Sequence, residues 1–193
     1  MTQCVKLSSI DQKLSCAESD NSGGIVAKVI FGYHDEVAVF PDFPSPAETA
    51  AEGLSLEDAG SLVGDLVMKK GTCAFEFEYT QDSGSLTIAP QGDPGNISFL
   101  YTLNLEAARI RRKVLGLMNA SKSRKMFFLA QDMNGEWYLL GDKRRGAMLN
   151  AGEGAQTGQQ ATDQNKTALA FTYTSPRALI YTGDTENVLT VQE

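Results

Sequence analysis

The most regular alternation in the chain lies in residues 72–80, where Cys73, Phe75, Phe77 and Tyr79 fall on one side and Ala74, Glu76 and Glu78 on the other. Successive side chains of an extended chain point to opposite faces, so this stretch predicts a strand with one apolar face. The same rule predicts a strand over residues 25–31, with Ile25, Ala27, Val29 and Phe31 opposed to Val26, Lys28 and Ile30 and much of both faces buried. Further strands are expected over residues 36–40, 62–69, 84–89 and 178–181, and at 169–173, where Leu169, Phe171 and Tyr173 alternate with smaller residues. The strand at 84–89 is the expected partner of that at 72–80, reached through a turn at Gln81-Asp82-Ser83-Gly84.

Within residues 96–141 the period changes. Ile97, Phe99, Tyr101 and Leu103 alternate as in a strand, whereas Ala107, Ile110, Val114, Leu117 and Met118 recur at helical spacing, with Arg109, Arg112 and Lys113 on the other side. This predicts one helix at about residues 105–119 lying against a sheet, capped by Asn104 and with Glu106 near the positive end of its dipole. Residues 126–130 are strand-like again, Asn134-Gly135 supplies the central pair of a type I′ turn, and residues 137–140 return beside them.

Breakers divide the rest. The turn cluster Asp20-Asn21-Ser22-Gly23-Gly24 ends a polar arm at residues 1–23, and Pro41, Pro44 and Pro46 open an exposed loop to about residue 53, with a helical turn expected at 47–51. Ser55 offers a cap, yet Gly60 and Gly64 weaken any helix continuing beyond it. Residues 142–166 carry only Met148 and Leu149 as sizeable apolar side chains. They are expected to be a mobile loop or, over 144–166, a flexible arm that orders only against another subunit. The sum is eight to ten strands joined mostly by short turns: a mainly β, antiparallel sandwich or barrel with one flanking α-helix, in one domain.

Composition narrows the function. The 193 residues carry a formal net charge of -7, which opposes general attraction to a phosphate backbone but leaves open an acidic wall that DNA slides past. No run is long enough to span a bilayer and the N-terminus lacks an apolar leader core, so a soluble, uncleaved chain is expected. Cys4, Cys16 and Cys73 lack the close pairing of zinc or redox motifs. They read as buried or incidental thiols, or as a Cys4 to Cys16 bridge in an oxidising setting. The glycan-acceptor triplets at Asn96, Asn119 and Asn165 carry no weight without a sign of secretion.

Candidate chemistry is sparse. His34, the only histidine, sits beside Asp35 in an expected turn and reads as a surface residue rather than a catalytic base. Residues 152–158 are Gly-rich but lack the Lys-Ser/Thr end of a phosphate loop, and Asp132, Asn134 and Glu136 match a calcium loop only in part. Glu76 and Glu78 could pair as glycosidase carboxylates, with a solvated or interface-facing edge as the plainer account. Arg109, Arg111, Arg112, Lys113, Lys122, Arg124 and Lys125 could meet phosphate or an acidic surface on a neighbour, or form a solvated helix face. No catalytic, cofactor or metal site is assigned, and the chain is not read as an enzyme.

Tyr101-Thr-Leu-Asn-Leu-Glu, Leu115-Gly-Leu-Met-Asn, Phe128-Leu-Ala-Gln-Asp-Met-Asn-Gly-Glu-Trp-Tyr-Leu-Leu-Gly141, Thr157-Gly158, Asp163-Gln-Asn165 and Leu169-Ala-Phe-Thr occur in this order. With them, roughly residues 61–175 resemble the major tail tube proteins of bacteriophages and prophages, especially those of Bacteroidetes hosts; residues 33–60 fall outside the likeness and read as an insertion or loop. The resemblance implies a β-sandwich or barrel with a flanking helix and a structural protein of the virion tail. It also implies assembly in the host cytoplasm into hexameric rings that stack around a DNA-conducting lumen. The implied partners are other copies of the chain, other tail proteins and passing DNA. Gly146, Met148, Leu149, Gly152, Gly154, Thr157, Gly158, Glu76 and Glu78 are the expected oligomer interface. The alternative is a β-sandwich module binding a glycan or small ligand on an aromatic platform of Trp137 and Tyr138.

Overall fold

The computed structural model describes residues 5–10, 21–45 and 53–192, so the expected Cys4 to Cys16 bridge and the helical turn at 47–51 lie outside the described residues. Among these residues, ten strands and three α-helices follow in order: β1 (Ile25–Tyr33), a 3-10 turn (His34–Glu36), β2 (Val37–Val39), α1 (Leu56–Ala59), β3 (Val67–Met68), β4 (Phe75–Glu78), β5 (Ser85–Gln91), β6 (Ser98–Ala108), α2 (Arg112–Ser121), β7 (Met126–Asp132), β8 (Trp137–Leu140), β9 (Met148–Gln156), β10 (Lys166–Ser175) and α3 (Glu186–Leu189). The strands form an inner sheet β4-β1-β7-β8, an outer sheet β5-β6-β10-β9 and the small pair β2-β3, all antiparallel. The fold is therefore mainly β, an antiparallel sandwich with α2 on its flank.

The inner sheet is covered on both faces. One face sends Val29, Met126, Phe128, Ala130 and Leu140 against Tyr101, Leu103, Leu105, Leu169, Phe171 and Tyr173 of the outer sheet, and Val114, Leu117 and Met118 of α2 complete that core. The other face sends Ile30, Phe127, Leu129 and Leu139 into a second core closed by Val37, Phe40, Leu62, Leu66, Met68, Tyr181 and Val188. This double covering explains why Met126-Phe-Phe-Leu-Ala130 is a continuous apolar run rather than an alternation. It also absorbs much of the expected insertion, since Val37, Phe40 and Leu54 are all buried.

Several expectations are corrected. The helix begins at Arg112, not near residue 105, because β6 runs on to Ala108, paired with β10 on one side and, past the end of β5 at Asn104, bonded to Thr80 on the other. Leu105 and Ala107 are buried beside Tyr101 and Leu103, so the period of two extends four residues past the expected switch. Asn104 caps nothing: its amide donates to Ser85 Oγ at 3.1 Å, and Glu106 pairs with Lys166. The strand at 72–80 shrinks to β4 and pairs with β1, whereas β5 belongs to the other sheet. The expected strand at 62–69 is reduced to β3, and the polar tail includes α3, whose Val188 is fully buried. The β7–β8 turn is not type I′. Gly135 alone takes positive φ (99°) while its amide donates to the Asp132 carbonyl, so Met133-Asn134 are the central pair. Ser55 does cap α1, accepting from the Asp58 amide. Among the described residues, no helix is long and apolar enough to cross a membrane.

Candidate assembly surfaces

The expected interface residues separate into three places. Gly146 is buried in the turn from β8 to β9, paired with Gly141. A Cβ there would stand 2.9 Å from the Met126 carbonyl oxygen and 2.8 Å from Lys125 Cβ. Close backbone approach within the chain requires a glycine here. Asp142 organises the same turn. Its Oδ1 accepts from the Arg144 and Arg145 amides, its Oδ2 from the Tyr173 hydroxyl, and its carbonyl from His34 Nε2 at 2.6 Å. His34 also stacks on Phe40 with ring centroids 4.7 Å apart, so the lone histidine is a packing element beside the second core.

Met148, Leu149, Gly152 and Gly154 lie on β9, at the margin of the outer sheet. Residues 148–156, expected to lack order of their own, form this strand because β10 supplies a hydrogen-bonding template and Leu149 packs on the main core. Where the register with β10 shifts, between the pairs Ala168–Gly154 and Ala170–Asn150, the edge bulges. Thr157 and Gly158 begin the loop to β10. Asp163 closes that loop by accepting from the Gln160 and Gln159 amides, which lower its carboxyl below the usual range. Asn165 then ties the loop to the end of β6, accepting from the amides of Arg109 and Ile110.

The middle of this sheet's outward face carries uncharged side chains. Across the strands run the rows Ser85, Asn104, Ala170, Asn150 and Thr87, Thr102, Thr172, Met148. Charge enters only beyond them, where Lys166 lies 2.9 Å from Glu106 and 3.2 Å from Glu153, one cation between two carboxylates.

Glu76 and Glu78 sit elsewhere, on β4 at the margin of the inner sheet, and Lys28 of β1 bonds Glu76 at 2.7 Å. The structure thus divides the expected interface between two sheets. The basic run does not converge either: Arg124 pairs with Asp35 and stacks over Tyr33, away from Arg111 and Arg112 at the start of α2. Asp132 spends Oδ1 on the Asn134 and Glu136 amides, as a turn does. Trp137 packs on the second core, whereas Tyr138, its neighbour along β8, faces Asp132, so the two rings do not form one platform.

Sequence reasoning missed the Asp142 network. The only signal was an acidic residue between glycines and cations in Gly141-Asp-Lys-Arg-Arg-Gly146, and its bonds to His34 and Tyr173 span more than thirty positions. A cleft of about 560 Å³ lies beside this turn, lined by Phe43, Ile97, Arg144 and Arg145 among others. Among the described residues, no cluster of three or more His, Cys, Asp or Glu is placed to hold a metal ion. Comparison of the chain with protein-family models, with curated proteins and with solved structures finds no match.

Proposed function

We propose that the chain is a structural subunit of a phage-like tail tube, assembled in the host cytoplasm and carried in the virion tail. Copies join by pairing the open β9 margin of one outer sheet with the β5 margin of the next. A head-to-tail contact of this kind closes into a ring when the rotation between copies divides a full turn, and the likeness to tail tube proteins makes six the expected number. Stacked rings then leave a lumen for DNA.

One observation carries the reading: among the described residues, no strand pairs with the outer margins of β5 and β9. β9 is nine residues long, has no proline and carries Glu153 as its only charge, and β5 offers Ser85 to Ala89 before Pro90 removes a donor. Such margins expose backbone groups that pair readily with another chain. The uncharged face described above supports its placement toward the lumen, because it offers a phosphate backbone no cation, and the chain's net charge of -7 adds repulsion.

Negative-stain imaging and light scattering of the concentrated protein test the proposal. Rings or tubes with a central hole are expected. A chain that stays monomeric and does not stack with tail partners overturns it.

A further inference from the structure

Two apolar surfaces remain without a partner among the described residues. One is the segment of residues 5–10: Val5 makes a parallel bridge to Leu54, after which Leu7 and Ile10 stand 82% and 80% exposed. The other is β4. It has β1 on one side and no strand on the other among the described residues, and Phe75 is 56% exposed beside the partly buried Phe77.

We propose that residues 5–10 of one copy add as a further strand to the open margin of β4 in a second copy. The inference deepens the assembly reading above, and rests on it, by naming a second contact between subunits. Three features fit. Val5 and Leu7 are two residues apart, as are Phe75 and Phe77, so in an added strand both apolar pairs fall on one face at matching spacing. Lys6 then falls on the face of Glu76 and Glu78, where Lys28 is the one cation that the register places nearby. The Lys6 amide donates to the Leu54 carbonyl at 2.7 Å, so along an extended chain the backbone groups of Val5 and Leu7 point away from Leu54, toward an incoming strand. Main-chain pairing would supply affinity, and the alternation of apolar and charged positions would set the register.

The experiment uses full-length chains. Leu7→Asp and Phe75→Asp, both at exposed positions, should each raise the concentration for half-assembly by about tenfold or more, with thermal midpoints close to the parent. Lys6→Glu and Glu78→Lys should each weaken assembly, and mixing those two variants should restore it through the matched arm and margin. With the natural cysteines replaced by serine, a mixture of Leu7→Cys and Phe75→Cys chains should yield a disulfide-linked dimer that neither chain gives alone. Assembly indifferent to these variants, no mixed dimer, or a doubly substituted chain that closes on itself overturns the inference while leaving the tube reading intact. A mixed dimer without rings or tubes leaves the inference and overturns the tube reading. A parent chain that is monomeric at every concentration overturns both.

Discussion

The Tyr173 hydroxyl donates to Asp142 Oδ2 at 2.7 Å, joining the middle of the outer sheet to the turn that leads out of the inner one. The phenol is buried, and burial together with the adjacent carboxylate pushes its ionisation far above the usual tyrosine range. Because Asp142 Oδ1 holds two amides of the turn as well, one carboxylate fastens the β8–β9 crossing. Asp142→Ala should cost about 3 kcal/mol in urea unfolding, since it strands several donors at once. Tyr173→Phe should cost about 1 kcal/mol, and the double variant less than the sum.

Gly146 and Gly152 separate packing from assembly. A Cβ at 146 meets the Met126 carbonyl, which cannot move without disturbing the pairing with Ala147, whereas a Cβ at 152 meets Ala170 Cβ at an ordinary 3.5 Å. Gly146→Ala should therefore lose about 1–3 kcal/mol by thermal unfolding, and Gly152→Ala should leave stability within about 0.5 kcal/mol.

Alkaline titration should be late and coupled to unfolding. Burial raises the hydroxyls of Tyr79, Tyr101, Tyr138, Tyr173 and Tyr181, that of Tyr79 to about 12. A group whose ionisation is raised in the folded state stabilises the fold fully below its unfolded value, near 10, and loses that contribution as pH climbs through the folded value. Stability should fall across pH 10–12, with absorbance at phenolate wavelengths rising together with loss of structure. Five phenols ionising near pH 10 in a still-folded chain would contradict this.

Thr167 is fully buried on β10, and its hydroxyl has no hydrogen-bond partner among the described residues. Thr167→Val keeps the shape and removes the unpaired group, so a gain of about 1 kcal/mol is expected in denaturant unfolding.

Charge at the β9 margin should act on assembly alone. Met148 and Asn150 are exposed on the outward face. Met148→Lys with Asn150→Lys should abolish rings or tubes in electron micrographs, while the thermal midpoint stays within about 4 °C of the parent.

What the chain declares by itself is local. Alternation at Leu169, Phe171 and Tyr173 announced β10, the breakers around Asn134-Gly135 announced the β7–β8 hairpin, and Ser55 offered the cap that α1 uses, in a stretch whose glycines left a helix ambiguous. Each depends on side-chain spacing or on a bond to a near neighbour, which a one-dimensional reading contains. Tertiary contact decided the rest. Residues 104–108 could serve a helix or a strand, and β6 kept them because β10 pairs with it through Ala108 while Thr80 bonds Glu106 and Ala108 on the other side. Residues 148–156 bury too little to hold a shape unaided, and became a strand only because β10 lay alongside. Which sheet receives β4 or β5, and that Asp142, His34 and Tyr173 meet, depended on pairings across tens of residues, whose energy appears only once the chain has closed on itself.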